Sequence, residues 1–219
     1  MKAGILTFPG SNCDRDIYSV LRDFFDFETD LIWHNHEIKT SYDLLVLPGG
    51  FSFGDYLRCG ALAKFSPAMQ SVMAHAKRGG AVFGLCNGFQ ILCEAGLLPG
   101  ALIRNQGLLH IAKDVTLIAG NHSQFKHLTG EYRIPVSHSE GNYRADQATI
   151  QELEDQGRIA FRYEKNPNGS VNDIAGIVSE NGRVIGMMPH PERATDARNG
   201  KTDGKLILEA VVQSLFLTA

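Results

Sequence analysis

Residues 81 to 96, AVFGLCNGFQILCEAG, combine a strand, a sharp turn and a helix in immediate succession. AVFGL is an apolar run of strand length, and a helical pattern follows directly after Cys86. Gly84 stands two positions before this cysteine and Gly88 two positions after it. The spacing is typical of a nucleophile elbow, a turn so tight that only small residues fit at the two flanking positions. The stretch therefore predicts an α/β fold that presents Cys86 at the edge of a sheet.

Strands and helices alternate on both sides of the elbow. Strands are predicted at 2–8, 29–33, 43–47 and 81–85, and helices at 14–25, 66–78 and 87–96. Because these strands are short and almost continuously apolar, they favour a parallel sheet covered on both faces. Later patterns predict strands at 114–118, 131–136 and 159–163, a helix near 148–155, and a hairpin across 173–188 that turns at Asn181-Gly182.

The final helix is predicted at about 204 to 217. Its buried face is expected to contain Leu206, Ile207, Ala210, Val211 and Leu215. We expect an α/β fold with an open, mostly parallel, flavodoxin-like sheet, helices on both faces, and some antiparallel strands in the C-terminal half. Residues 1–219 are expected to form a single domain.

Composition and charge narrow the possible partners. The chain has 219 residues, 43% of them hydrophobic, and a formal net charge of −3. Its Lys and Arg residues are scattered singly, so it lacks the basic stripe that binds a phosphate backbone, and no nucleic-acid partner is predicted. No apolar run approaches the ~18 residues of a membrane span, so we expect a cytoplasmic protein. His34 and His36 lack a third ligand at a suitable spacing, and no metal site is predicted.

The four cysteines form no CxxC pair and are expected to be reduced thiols. The elbow places Cys86 at a helix N-terminus, where unpaired N–H groups and the helix dipole favour the thiolate, the competent nucleophile. The alternative for Cys86 is a structural cysteine beside two coincidental glycines. Cys13, Cys59 and Cys93 are interpreted as packing residues.

A cysteine nucleophile needs a base, and His190, in the sequence PHPE, is the best candidate among eight histidines. It follows a predicted strand at the sheet edge, and Glu192 comes two residues later. Pro189 and Pro191 favour an extended segment, in which side chains at i and i+2 point the same way. Glu192 is therefore predicted to hydrogen-bond His190 and orient it. The alternative is an ordinary loop histidine.

Attack on an amide creates an oxyanion, which the site must stabilise with hydrogen-bond donors. The elbow supplies one donor, the backbone N–H of Asn87. A second is predicted at Gly50 or Phe51, because residues 47 to 56, LPGGFSFGDY, leave a strand through glycines that allow a substrate to approach. A phosphate cradle is the weaker alternative, since the loop contains neither a GxGxxG nor a GKS/GKT pattern.

GLCNGFQ at 84–90 and PHPE at 189–192 resemble the motifs of class I, triad-type glutamine amidotransferases. Longer motifs are similar to those of the glutaminase subunits of phosphoribosylformylglycinamidine synthases, which act in purine biosynthesis. These motifs are FPGSNCDRD at 8–16, PGGFSFGDYLRCGA at 48–61, SVNDIAG at 170–176 and GMMPHPER at 186–193. The resemblance extends from the first predicted strand to the last helix.

The resemblance implies that glutamine and water give glutamate and ammonia through a thioester on Cys86. His190 is then the base, and Glu192 orients it. The glutamine-binding residues that the resemblance implies are Gln90, His138, Ser139 and Glu140. One departure is Ser139, because the usual subunit pattern is HGEG and this chain has HSEG.

The resemblance also implies partners. Ammonia passes to a large synthetase subunit that converts formylglycinamide ribonucleotide to the formylglycinamidine, and a small third subunit accompanies it. ATP and Mg are used by the synthetase subunit, so no cofactor is implied for this chain.

Two other functions are considered. A cysteine hydrolase of the peptidase or deglycase type accounts for GLCNG but not for the HPE sequence or Gln90. A binding module that has lost turnover is disfavoured, because Cys86, His190 and Glu192 are all present.

Overall fold

The computed structural model of the chain describes residues 1 to 216. The strands are β1 Lys2–Thr7, β2 Glu28–Trp33, β3 Leu44–Leu47, β4 Ala81–Leu85, β5 Ala101–Ile103, β6 Ile111–Ala119, β7 Tyr132–His138, β8 Asn142–Arg144, β9 Ile159–Tyr163, β10 Ile174–Val178 and β11 Val184–Met187. The helices are α1 Asp14–Phe25, α2 Pro67–Lys77, α3 Asn87–Glu94, α4 Gln147–Asp155 and α5 Asp203–Phe216. Position 217 of the predicted last helix, and positions 217–219 of the predicted domain, lie outside the described residues.

One nine-stranded sheet has the order β2-β1-β3-β4-β11-β10-β9-β6-β7. Pairing is parallel from β2 to β11 and antiparallel from β11 to β7. The predicted α/β class, with antiparallel strands in the C-terminal half, is confirmed. Strands β5 and β8 form a separate antiparallel ribbon that the sequence patterns did not predict.

Two apolar layers cover the sheet, because successive residues of a strand point to opposite faces. In β3, Leu44 and Val46 pack with α1 and α5, whereas Leu45 and Leu47 pack with α2 and α3. The prediction for the last helix is wrong at Leu206, which is 47% exposed. The other four predicted residues, Ile207, Ala210, Val211 and Leu215, are buried, and Gly204, Leu208 and Ser214 complete the buried face of α5.

The parallel half of the sheet gathers the candidate site at one edge. Strands β1, β3, β4 and β11 are neighbours with the same direction, so their carboxyl ends lie side by side. The segments that leave these ends carry Cys13, the 47–56 loop, Cys86 and His190. Ligands of open α/β sheets bind at this edge. Among residues 1 to 216, no helix is long and apolar enough to cross a membrane.

Candidate active site

The backbone at Cys86 has the strained geometry of an elbow. Its φ and ψ are 49° and −104°, and α3 begins at the next residue. A Cβ atom on Gly88 would lie 2.0 Å from the carbonyl oxygen of Leu47, and one on Gly84 would lie 2.8 Å from the backbone carbonyl of Gly88. The two glycines are therefore required by close contacts, as the spacing of the motif predicts.

His190 and Glu192 form the hydrogen bond that the PHPE spacing predicts. His190 Nδ1 lies 2.7 Å from Glu192 Oε1, and both side chains are buried. The predicted extended conformation is wrong, because residues 191–193 form a 3₁₀ turn in which the Arg193 N–H donates to the His190 carbonyl at 3.1 Å. Pro191 occupies the first helical position, where its fixed φ and missing N–H are tolerated.

The charges around His190 favour its imidazolium form. Burial by itself lowers the pKa of an imidazole, but the Glu192 carboxylate and the Cys86 sulfur outweigh it and raise the pKa of His190 well above its ordinary value. The Cys86 thiol itself donates a hydrogen bond to the Ser137 carbonyl at 3.6 Å. The Cys86 N–H also donates to the Met187 carbonyl at 2.8 Å, which fixes the elbow beside the strand that carries His190.

The other three thiols have raised pKa values. Burial is the main cause at Cys13, Cys59 and Cys93, and it keeps these thiols protonated. Cys13, however, does more than pack in the core, because its sulfur, a His190 ring nitrogen and a Glu192 carboxylate oxygen lie within 4.8 Å of one another. Only a weak sequence signal points to this contact, because Cys13 follows β1 and the order of the strands in the sheet decides which residues lie opposite it.

The loop after β3 holds the candidate oxyanion donors. The Gly49 carbonyl accepts hydrogen bonds from the Asn12 and Cys13 N–H groups at 3.3 and 3.2 Å, and the Phe51 N–H donates to Gly10 at 2.9 Å. The Gly49 carbonyl and the Gly50 N–H belong to the same peptide group, and in a trans peptide these two groups point in opposite directions. Because the carbonyl points to the residues that precede α1, the Gly50 N–H points away from them. It has no acceptor among residues 1 to 216. Of the two predicted positions, Gly50 is therefore the better candidate, together with the Asn87 N–H at the start of α3.

Gln90 joins the elbow helix to the 138–141 segment. Its Nε2 donates to the Glu140 carbonyl at 2.6 Å, and its Oε1 accepts from Asn87 Nδ2 at 2.9 Å. The Glu140 carboxylate accepts from the Cys59 N–H at 3.4 Å and lies 3.9 Å from Arg104. Gln90 and Glu140, both predicted to bind glutamine, are thus brought together at the elbow.

His138 is buried and neutral. Burial, followed by the charge of His190, lowers its pKa to about 4. Its Nδ1 lies 3.1 Å from Asn105 Oδ1, whose amide nitrogen is already a donor, so Nδ1 carries the proton and Nε2 is an acceptor. Nε2 has no partner among the described residues. Ser139 instead directs its hydroxyl outward to His110 Nδ1 at 3.0 Å, so the departure from HGEG falls on an exposed side chain.

Asn105 is a residue that the sequence patterns missed. It is fully buried, its Nδ2 donates to the carbonyls of Leu109 and His138 at 2.9 Å, and its Oδ1 accepts from the Gly141 N–H at 3.0 Å. An isolated asparagine in a loop has no distinctive spacing, so only its contacts identify it as the residue that holds the 138–141 segment.

The fold and this site define a class. A cysteine elbow beside a buried His–Glu pair, on an α/β sheet, has the arrangement of a glutamine amidotransferase, and the sequence model of the CobB/CobQ-like glutamine amidotransferase domain matches residues 1–216. Phosphoribosylformylglycinamidine synthase subunit PurQ of Leptospira interrogans is 51% identical, covering 98% of this chain and all of that protein. PurQ of a Ruegeria species is 54% identical over 96% and 97% of the two chains.

The structure of PurLQS from Thermotoga maritima contains a chain that is 38% identical, with a TM-score of 0.84 and 98% of both chains covered. This chain therefore belongs to the family of phosphoribosylformylglycinamidine synthase subunit PurQ. The family match gives no support to the peptidase or deglycase alternative.

Proposed function

We propose that this chain, as a single domain, hydrolyses glutamine through a Cys86 thioester and delivers the ammonia to a separate synthetase subunit that makes phosphoribosylformylglycinamidine. The observation that carries the proposal is the position of the Cys86 elbow, hydrogen-bonded to the end of β11, beside the buried His190–Glu192 pair that follows this strand. A thiolate at Cys86 and an imidazolium at His190 are the two species that amide cleavage needs.

In the first half-reaction, the Cys86 thiolate adds to the side-chain carbonyl carbon of glutamine. The N–H groups of Gly50 and Asn87 stabilise the oxyanion that forms. The His190 imidazolium gives its proton to the amide nitrogen, the C–N bond breaks, and ammonia leaves behind a thioester. Glu192 holds the ring in the required orientation throughout.

In the second half-reaction, the neutral His190 takes a proton from water. The resulting hydroxide adds to the thioester carbonyl, the C–S bond breaks, and glutamate and the Cys86 thiolate are restored. Gln90, His138, Ser139 and Glu140 are proposed to hold the amino acid portion of glutamine. Here the neutral His138 offers Nε2 as an acceptor for the substrate ammonium group.

A partner surface is supported by exposed apolar residues beside this site. Tyr56, Leu57 and Phe65, on the segment after β3, and Leu108 and Leu109, after β5, are each at least 70% exposed. Glu140 contacts both segments, through the Cys59 N–H and Arg104. Exposed apolar residues grouped next to a site are typical of a protein interface. We assign them to the synthetase subunit, which uses ATP and Mg, with a small third subunit in the same cytoplasmic complex.

Docking is also proposed to complete the oxyanion loop. Phe53, Asp55 and Leu57 have positive φ values, which strain residues other than glycine. A partner that binds Leu57 stabilises one conformation of this segment, so glutamine hydrolysis is expected to be faster in the complex than in the free subunit. If the free subunit hydrolysed glutamine as fast as the complex, the proposal that docking completes the oxyanion loop would be refuted.

The experiment that tests the function is labelling with an electrophilic glutamine analogue, followed by intact mass measurement and peptide mapping, on the free chain and on the complex. We expect one adduct, on Cys86, that excess glutamine prevents. The Cys86→Ser variant should take up no analogue. Labelling that is indifferent to glutamine, or that maps to Cys13, Cys59 or Cys93, would contradict the proposal.

A further inference from the structure

The side chain of Asn87 joins three segments around the nucleophile. It is 2% exposed, its Oδ1 accepts a hydrogen bond from the Ser52 N–H at 3.2 Å, and its Nδ2 donates to Gln90 Oε1 at 2.9 Å. Gln90 Nε2 in turn donates to the Glu140 carbonyl at 2.6 Å. Two amides thus form one continuous chain of hydrogen bonds from the oxyanion loop to the 138–141 segment.

The direction of this chain is fixed by its two ends. At one end the Ser52 N–H is only a donor, and at the other the Glu140 carbonyl is only an acceptor. Asn87 must therefore present its oxygen to Ser52, and Gln90 must present its nitrogen to Glu140. If either amide rotated by 180°, two like groups would face each other in a buried position, which is costly.

Ser52 matters because it follows the candidate oxyanion donor by two residues. On one side of Gly50, the Gly49 carbonyl is held by Asn12 and Cys13. On the other side, the Phe51 N–H is held by Gly10 and the Ser52 N–H by Asn87. The peptide that carries the Gly50 N–H is thus fixed from both directions, and the Asn87 side chain is the one contact in this set that comes from the elbow helix.

We propose that the Asn87 side chain is a positioning residue: it holds the oxyanion loop against the elbow and couples the loop, through Gln90, to the glutamine-binding segment at 138–141. The inference rests on the proposed glutaminase function. In that function Asn87 acts only through its backbone N–H, as an oxyanion donor, and the inference adds a role for its side chain. Occupation of the segment by glutamine then stabilises the loop geometry that the oxyanion requires.

The test is Asn87→Ala in the assembled complex, because this variant keeps the backbone N–H and removes only the side-chain bonds. We expect kcat for glutamine hydrolysis to fall by ~10- to 100-fold, less than the 10²–10³ that loss of a whole oxyanion donor costs, with KM changed by less than ~3-fold. Alkylation of Cys86 by iodoacetamide forms no oxyanion at a carbonyl. The alkylation rate of Asn87→Ala should therefore stay within ~3-fold of the alkylation rate of the unaltered protein.

Gln90→Met is the matched comparison, since it removes the link to Glu140 but leaves the Ser52–Asn87 bond in place. We expect it to raise KM more than it lowers kcat. The inference is overturned if Asn87→Ala leaves kcat unchanged, if kcat and the alkylation rate fall together, or if both variants lose kcat equally. If the complex of the unaltered chain did not hydrolyse glutamine, the proposed function itself would be refuted. This result is distinct from the three outcomes that overturn only the inference about Asn87.

Discussion

His190 Nδ1 and Glu192 Oε1 are 2.7 Å apart in a place that water does not reach, with 3% and 0% of the two side chains exposed. A carboxylate that is desolvated together with an imidazole favours the charged ring strongly, because the low dielectric constant strengthens their attraction. The raised pKa of His190 follows from this contact, with a further contribution from Cys86.

Glu192→Gln is expected to lower the pKa of His190, because the neutral amide no longer stabilises the imidazolium. The imidazolium protonates the amide nitrogen that leaves as ammonia, and it is lost as pH rises through its pKa, so the alkaline limb of kcat/KM should move to lower pH. We expect kcat to fall by ~10²- to 10⁴-fold, up to the loss of ~10⁴ seen when the orienting carboxylate of a triad is replaced by its amide. The pH profile of the complex measures both effects. An alkaline limb that stays at the same pH would show that Glu192 does not set the charge of His190.

Cys86→Ser separates the two half-reactions of the complex. Glutamine-dependent synthesis should fall by at least ~10³-fold, because serine is a far weaker nucleophile in a site built for a thiolate. Synthesis from added ammonium should continue, since the partner's chemistry does not use Cys86. Both rates are measured on the same preparation, which makes the ammonium rate the control for assembly. Equal loss of both rates would count against the transfer of ammonia between subunits.

Asn105→Ala removes the residue that holds the 138–141 segment. Three of its side-chain contacts are to backbone groups of Leu109, His138 and Gly141, and losing buried partners costs about 1–3 kcal/mol for each group left unsatisfied. We expect a lower unfolding temperature and a KM for glutamine raised by at least ~10-fold, with a smaller change in kcat. Ser139→Gly is the control, because the exposed Ser139 hydroxyl points to His110 and the variant keeps the backbone through which position 139 is proposed to contact glutamine. Its KM should stay within ~3-fold of the unaltered protein. An unchanged KM in Asn105→Ala would show that the 138–141 segment does not take part in glutamine binding.

The parts of the site that the sequence predicted are local. The elbow occupies five consecutive residues between a strand and a helix, and the spacing of two between His190 and Glu192 brings their side chains together through a short turn. Such features depend on backbone geometry over a few residues, so a motif can identify them. The 3₁₀ turn at Pro191 was mistaken for an extended segment because proline has a φ compatible with both.

The parts that the sequence did not predict depend on contacts between distant segments. Cys13 meets His190 because β1 and β11 lie in one parallel array, separated by β3 and β4, and that order is not encoded in any single stretch. The choice of Gly50 over Phe51 depends on Gly10, some forty residues earlier, which accepts the Phe51 N–H. Leu206 was misplaced for a related reason: the buried face of α5 depends on what packs against it. The Pro191 carbonyl oxygen, which would lie 2.0 Å from a Cβ on Gly204, packs against the Gly204 side of the helix.

Gly88→Ala tests the elbow itself. A methyl group at this position would lie 2.0 Å from the Leu47 carbonyl oxygen, which is backbone of the adjacent strand and cannot move without distorting the sheet. We expect destabilisation of more than ~3 kcal/mol, in the range of severe core overpacking, and loss of glutamine hydrolysis in whatever protein folds. Gly107→Ala is the matched control, because a Cβ there meets nothing within 4 Å. Denaturant unfolding of both variants measures the difference. If Gly88→Ala were as stable as Gly107→Ala, the elbow would have room for a Cβ atom at position 88. A tight turn would then no longer explain the strained backbone of Cys86.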